Sequence, residues 1–110
     1  MRIAVPTVEG KLSMHFGHSQ EFALIDIEGE EIKNVDTVTP PPHAPGVLPK
    51  WLREQGVTII ISSGMGRRAQ NLFSENDIAV VVGAPALEPE QLARHYIEGT
   101  LKVGYNICDH

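Results

Sequence analysis

The chain has a single cysteine, few aromatic residues (5%) and no run of basic charge. Each shortage excludes something. One thiol, Cys108, cannot close an internal disulfide, which fits a reducing compartment. Nine Lys and Arg stand against 14 Asp and Glu, for a formal net charge of −5. The nearest thing to a basic cluster is the isolated pair Arg67-Arg68. A phosphate-backbone footprint needs clustered cations, so nucleic acid is excluded as a partner. No stretch approaches the roughly 20 apolar residues of a membrane span. The N-terminus passes from one arginine straight into a strand pattern, without the order of regions found in a signal peptide. These absences predict a cytoplasmic protein that contacts no membrane.

What is present is ordinary globular composition, with 42% hydrophobic and 21% charged residues. A chain of 110 residues is expected to form one domain, residues 1–110, with a core that needs no staples.

Hydrophobic periodicity places the elements. Arg2 to Thr7 reads as a strand centred on Ile3, Ala4 and Val5, and Val8 to Gln20 as a loop. Glu21 to Glu28 is a second strand; Gly29 turns the chain into a third, Glu30 to Val38, polar enough for a sheet edge. Thr39 to Gly46 is a proline-rich, extended loop with His43 inside it. Strand and helix then alternate. A helix carries Leu48, Trp51 and Leu52 and stops at Gly56. Val57 to Ile61 is a β-branched run expected to be buried on both faces. A helix over Arg67 to Asn76 follows the turn Ser62-Ser63-Gly64-Met65-Gly66. Ile78 to Val82 is a further buried strand. Pro89 to Glu98 is a last helix with Leu92, Ala93, Tyr96 and Ile97 inward; Glu88 is a poor cap by residue type. The tail, Leu101 to His110, has no clear period. Five strands, an N-terminal antiparallel hairpin and two crossovers predict a mixed α/β sheet with helices on both faces.

Four places could carry chemistry. His15 and His18 flank Phe16-Gly17 in the first loop. A three-residue gap lets both imidazoles turn to one point, and Gly17 lets backbone approach a ligand; the same pattern suits two solvated histidines with a phenylalanine anchor. Cys108 and His110 lie two apart in the tail, and thiolate with imidazole suits soft or borderline ions such as zinc, copper(I) or iron–sulfur clusters. A frayed end with a spare thiol is the plain alternative. His43 is either a surface histidine or a third donor on a stiff loop. Ser62 to Gly66 is a glycine turn between strand and helix, where backbone amides could meet an anion. It lacks the Gly-Lys-Ser/Thr of a phosphate loop and the third glycine of a dinucleotide fingerprint, so tight packing explains it equally well. Met65 is a soft ligand or a packing residue. Carboxylates offer little: Asp26 is a lone acid in an apolar strand, and Glu28, Glu30 and Glu31 surround a turn.

In combination and order, the opening strand, Ser13-Met14-His15-Phe16-Gly17, Phe22-Ala23-Leu24-Ile25-Asp26 and Ile61-Ser62-Ser63-Gly64-Met65-Gly66-Arg67-Arg68-Ala69 resemble the dinitrogenase iron–molybdenum cofactor biosynthesis family. That family includes nitrogenase accessory factors and the orange protein, which holds a molybdenum–copper–sulfide cluster. The resemblance runs from Arg2 to about Gly99. The ending Asn106 to His110, with His43, is similar to a subset of stand-alone members. The resemblance implies a three-layer α/β/α, ribonuclease-H-like fold with a five-stranded mixed sheet. Nuclease activity does not follow, because two-metal cleavage needs clustered carboxylates and the first strand has none. It also implies cluster binding at His15, with Phe16 and Gly17 beside it, and a cofactor-facing surface at Gly64, Met65, Gly66 and Arg67.

The expected function is therefore a non-catalytic carrier of a metal–sulfur cluster (molybdenum, iron or copper) or of a soft metal. Its donors would come from His15, His18, His43, Cys108 and His110. Its partners would be cluster donor and acceptor proteins, and it would be a monomer or weak homodimer. A regulatory domain binding a nucleotide or small anion at the Ser63–Gly66 turn is the alternative. A zinc hydrolase using His15, His18 and Cys108 lacks a general base and ranks last.

Overall fold

The computed structural model describes residues 1–13, 21–42 and 46–104. In chain order the elements are β1 (Arg2–Val8), β2 (Lys11–Leu12), β3 (Glu21–Glu28), β4 (Glu31–Val38), α1 (Val47–Glu54), β5 (Ile59–Ile61), α2 (Arg67–Glu75), β6 (Ala79–Val81) and α3 (Pro89–Glu98). They build one mixed sheet in the order β4-β3-β1-β5-β6, with β2 attached to β1. β1, β5 and β6 run parallel; β2 and β3 pair antiparallel to β1, and β4 antiparallel to β3.

The period of two along each strand divides the core into two layers. Ile3 and Val5 of β1, Ala23, Ile25 and Ile27 of β3, and Ile59 and Ile61 of β5 face α3, which contributes Leu92 and Ala93. Ala4, Phe22, Leu24 and Ile60 face the other way, onto Leu52 of α1 and Phe73 of α2. The result is three layers, with α3 on one face of the sheet and α1 and α2 on the other. Phe73 and Leu52 are both fully buried. Burial of each stabilises the fold by about 1.5–3 kcal/mol relative to exposure.

The structure departs from the sequence reading in three places. The sheet has six strands rather than five. The extra strand, β2, lies inside the expected loop and pairs Thr7 with Leu12 and Val8 with Lys11. Glu9 and Gly10 connect β1 to β2 with φ of 54° and 81°. Two successive positive φ angles are what a two-residue type I′ hairpin requires, and a glutamate at the first position hides that signal. Second, β6 is not buried on both faces. It is the outermost strand, Ala79 is exposed, and Val80 and Val81 are half-buried. Third, Glu88 does cap α3: its N–H donates to Gln91 Oε1 at 3.2 Å, in a reciprocal capping box. The edge position of the polar β4 agrees with expectation.

Candidate functional site

The two ends of the sheet differ in character. At the amino end of β1, Arg2 is the organiser. Its Nε donates to Asp26 Oδ1 at 2.6 Å and its Nη2 to Oδ2 at 3.2 Å, while Nη1 donates to Gln55 O at 2.6 Å. The fork fits the carboxylate, and the third bond ties down the end of α1. The hydrogen bond from Arg2 holds the Asp26 carboxyl below its ordinary range, and Asp26 raises Arg2 in turn. The lone acid of the second predicted strand is thus half of a structural ion pair.

The carboxyl end of the parallel strands is held largely by backbone hydrogen bonds, with a few side chains added. After β2, Ser13 is buried and its N–H donates to Pro6 O at 2.9 Å. After β5 comes the glycine turn. Ser62 N–H donates to Val81 O (2.8 Å), and Ser62 Oγ donates to Gly64 O (3.2 Å). Gln70, reaching back from α2, donates its Nε2 to Met65 O at 2.8 Å. Met65 itself is fully buried against the α1–α2 layer. Gly66 is the N-cap of α2, in extended backbone and with no side-chain cap hydrogen bond. Ser62 to Met65 are buried, so the turn shows Gly66, Arg67 and Arg68 to the outside.

After β6, Gly83 N–H donates to Ser63 O at 2.8 Å, and Ala84 N–H to Ser62 O at 3.2 Å. Gly104 N–H then donates to Gly83 O at 2.7 Å. The chain beyond α3 is thereby tied to the same end of the sheet. On the α3 side of this end lies a cavity of about 270 Å³ whose lining includes Thr7, Glu21, Glu88 and Glu90.

His15, Phe16, Gly17, His18, His43, Cys108 and His110 lie outside the described residues. Their described flanks, however, gather at one end. Ser13 and Glu21 bound the first stretch, and Glu21 pairs with Thr7 at the carboxyl end of β1. The stretch holding His43 follows β4, whose last residue, Val38, pairs with Phe22 at that end. It precedes α1, which finishes at the opposite end beside Arg2. Gly104, on Gly83, precedes the tail. Four of the five histidines and the one cysteine thus belong to stretches anchored at the carboxyl end of the sheet. The fifth histidine, His95, is on α3 with Nδ1 2.7 Å from Thr100 Oγ1. Among the described residues, no group of three or more His, Cys, Asp or Glu could hold a metal ion. Also among them, no helix is long and apolar enough to cross a membrane.

The profile of the family described as dinitrogenase iron-molybdenum cofactor matches residues 1–99. The chain belongs to this family. An uncharacterized protein of Methanocaldococcus jannaschii, MJ0580, is 31% identical over 107 residues, covering 93% of this chain and 90% of that protein. Among solved structures, the crystal structure of PH0822 is similar with a TM-score of 0.88 and 37% identity, over 96% of both chains. The apo form of the orange protein from Desulfovibrio gigas superposes with a TM-score of 0.75 over 96% of this chain and 93% of its own; at 19% identity it shares the fold alone. Family membership makes this a small protein related to cofactor handling, and its mixed α/β fold is similar to those of the solved structures named above.

Sequence reasoning missed Gln70 and the Gly83–Gly104 junction. Gly83 sits in Gly-Ala-Pro straight after a strand, which signals a turn. Its partner, twenty-one residues on, has no local signature.

Proposed function

We propose that the protein is a non-catalytic carrier that holds a metal–sulfur cluster, or a soft metal drawn from molybdenum, iron or copper, at the carboxyl end of its parallel strands. The reading joins family membership to one observation: the chain's thiol and all but one of its imidazoles are in stretches whose described flanks come to that end. Open α/β sheets commonly bind ligands outside the carboxyl ends of their strands, where the chain reverses its direction of progress across the sheet. β1 is that point here, with β3 and β4 to one side and β5 and β6 to the other.

Roles follow from donor chemistry. His15, beside Phe16 and Gly17, is the principal ligand. Cys108 and His110 supply a soft thiolate and a second imidazole, with His18 and His43 as further donors. Chain length permits the meeting: at roughly 3.3–3.6 Å per residue, His15 stays within about 7 Å of Ser13 and Cys108 within about 14 Å of Gly104. Neighbouring strands stand only about 4.8 Å apart. An anionic cluster is directed to the α2 side, where Gly66 opens the helix and Arg67 and Arg68 are exposed, and away from Glu21, Glu88 and Glu90 on the α3 side. Few permanent ligands suit a carrier, which must release its cargo to an acceptor protein. The cytoplasm is the matching compartment, and the fold is of the ribonuclease-H-like kind.

The test is purification without oxygen, followed by a visible spectrum and metal analysis. Sulfide-to-metal bands with molybdenum, iron or copper are expected, and their loss in the His15→Ala/Cys108→Ala variant. Unchanged metal content in that variant overturns the proposal.

A further inference from the structure

The main sheet ends on two edge strands of unequal length, β6 with three residues and β4 with eight. Among the described residues no strand pairs with the outer side of β4, so every second N–H and C=O along it lacks a strand partner. The two halves of β4 differ. Over Glu31 to Asn34, Lys33 Nζ donates to Glu31 Oε2 at 2.9 Å, and the register shifts opposite Asp26 and Ile27. Charge and irregular register are how edges resist pairing. From Val35 to Val38 the register is regular. The one charge there, Asp36, accepts a bond from Asn34 Nδ2 at 2.8 Å. Asp36 pairs with Leu24, so it lies on the face away from α3. The α3-side face of this half is uncovered. Ile25 is fully buried, while Val35, its register partner on the same face, is 42% exposed. Val35, Thr37 and Thr7 share the cavity of about 270 Å³ with Glu21, Glu88 and Glu90.

The geometry points to the Val35–Val38 half of β4 as a docking site for an extended segment of another protein, which adds to the sheet as a further strand and carries a Lys or Arg into the cavity. The unpaired backbone supplies the pairing, and the cavity beside it selects the side chain. Bare Val35 gives the incoming strand an apolar contact, and the three carboxylates set its charge. The same carboxylates decide against a second copy of this chain. Antiparallel pairing of β4 with its own copy keeps the α3 faces on one side, so both sets of three would meet along one seam, between chains of net charge −5. The site uses none of the proposed metal donors, so it stands or falls separately from the carrier reading.

The probe is the peptide acetyl-Thr-Val-Lys-Val-Thr-amide, followed by amide NMR on the full chain. In the free protein, those amides of Val35 to Val38 that face away from β3 should exchange rapidly with solvent. At millimolar peptide they should become protected, with shifts at Val35, Thr37 and Glu90. Glutamate in place of the peptide's lysine should weaken binding by about fivefold, and so should Glu21→Gln/Glu90→Gln on the protein. Glu88 is kept because it caps α3. The lysine peptide N-methylated at every residue has no backbone donor and should not bind. Outward amides already protected in the free protein mean that the edge is covered, by the chain itself or, if protection grows with protein concentration, by a second copy; either overturns the proposal. Outward amides that stay unprotected with the lysine peptide also overturn it. Equal affinity for the lysine and glutamate peptides overturns the basic partner, and binding of the N-methylated peptide overturns strand addition.

Discussion

The two ends of the sheet answer the same problem, how to finish a set of strands, with different materials. The amino end uses charged side chains that satisfy one another: Arg2 spends its fork on Asp26 and Gln55 O. The carboxyl end relies mainly on backbone, with Ser13, Ser62, Ser63, Gly83 and Gly104 bonded through main-chain groups and the uncharged side chains of Ser62 and Gln70 adding bonds to the turn. Side chains committed to structure are unavailable for chemistry. An end held largely by backbone spends few of its described side chains on structure, and the stretches holding the proposed donors leave from it. If the carrier proposal holds, the contrast separates stability from cargo handling in space.

The strongest way to break this contrast is to remove the proposed donors. His15→Ala with Cys108→Ala should lower copper(I) or cluster affinity by more than the 10- to 100-fold typical of losing an outer-shell partner. Thermal unfolding should be unchanged, and a collapsed melting temperature would show that these residues also hold the fold. Acidification comes next. Imidazole with an ordinary pKa near 6.5 ligates only when neutral, so each coordinating histidine should cost about 25-fold in affinity between pH 7 and pH 5. The amino end should be indifferent over that range. The folded Asp26 carboxyl lies below its unfolded value of about 3.9, so the pair's stabilisation is complete above that value and is lost only as pH falls through the folded one. Titrating metal release and unfolding on one sample tests both, and coincident midpoints would erase the distinction.

Asp26→Ala should have a smaller effect of the opposite kind. The pair is about one-third exposed on each side, so its loss is worth about 1 kcal/mol, or a fall of about 5 °C in Tm. Metal affinity should not move; a change would couple the two ends. The smallest effect belongs to His95→Ala. The ring loses its contact with Thr100, a matter of tenths of a kcal/mol in the stability curve, and metal binding stays as in the wild type. It serves as the histidine control for the others.

Much of the scaffold is written in local pattern. α3 follows from Leu92, Ala93, Tyr96 and Ile97 at helical spacing, and β4 shows its edge position by polarity. The misses have physical causes. Ile78 to Val82 is as apolar as a central strand, yet only the number and order of the other strands makes β6 outermost. Met65 is not among them: of its two readings, soft ligand or packing residue, the structure shows it fully buried in the same core cluster as Phe73 and Leu52. The proposed donors, His15, His18, His43, Cys108 and His110, are conspicuous by residue type and lie outside the described residues. That the described flanks of their stretches gather at one end of the sheet is a property of topology: it needs the β1–β3 register, the run of α1 back to Arg2 and the Gly83–Gly104 contact, none of which has a local signature.

The position of β1 also dictates an order of assembly. Its pairing with β3 and that of β3 with β4 are joined through short connections, whereas its parallel pairing with β5 sets Ile3 opposite Ile59. Closing that longer loop has the larger entropic cost, and the reward is a contact of only two registered pairs. The antiparallel half should therefore form in the folding nucleus, with high φ-values at Ile25 and Leu24. The β1–β5 seam would close last, so the carboxyl-end junctions between the turns after β5 and β6 become complete only when the whole chain has folded.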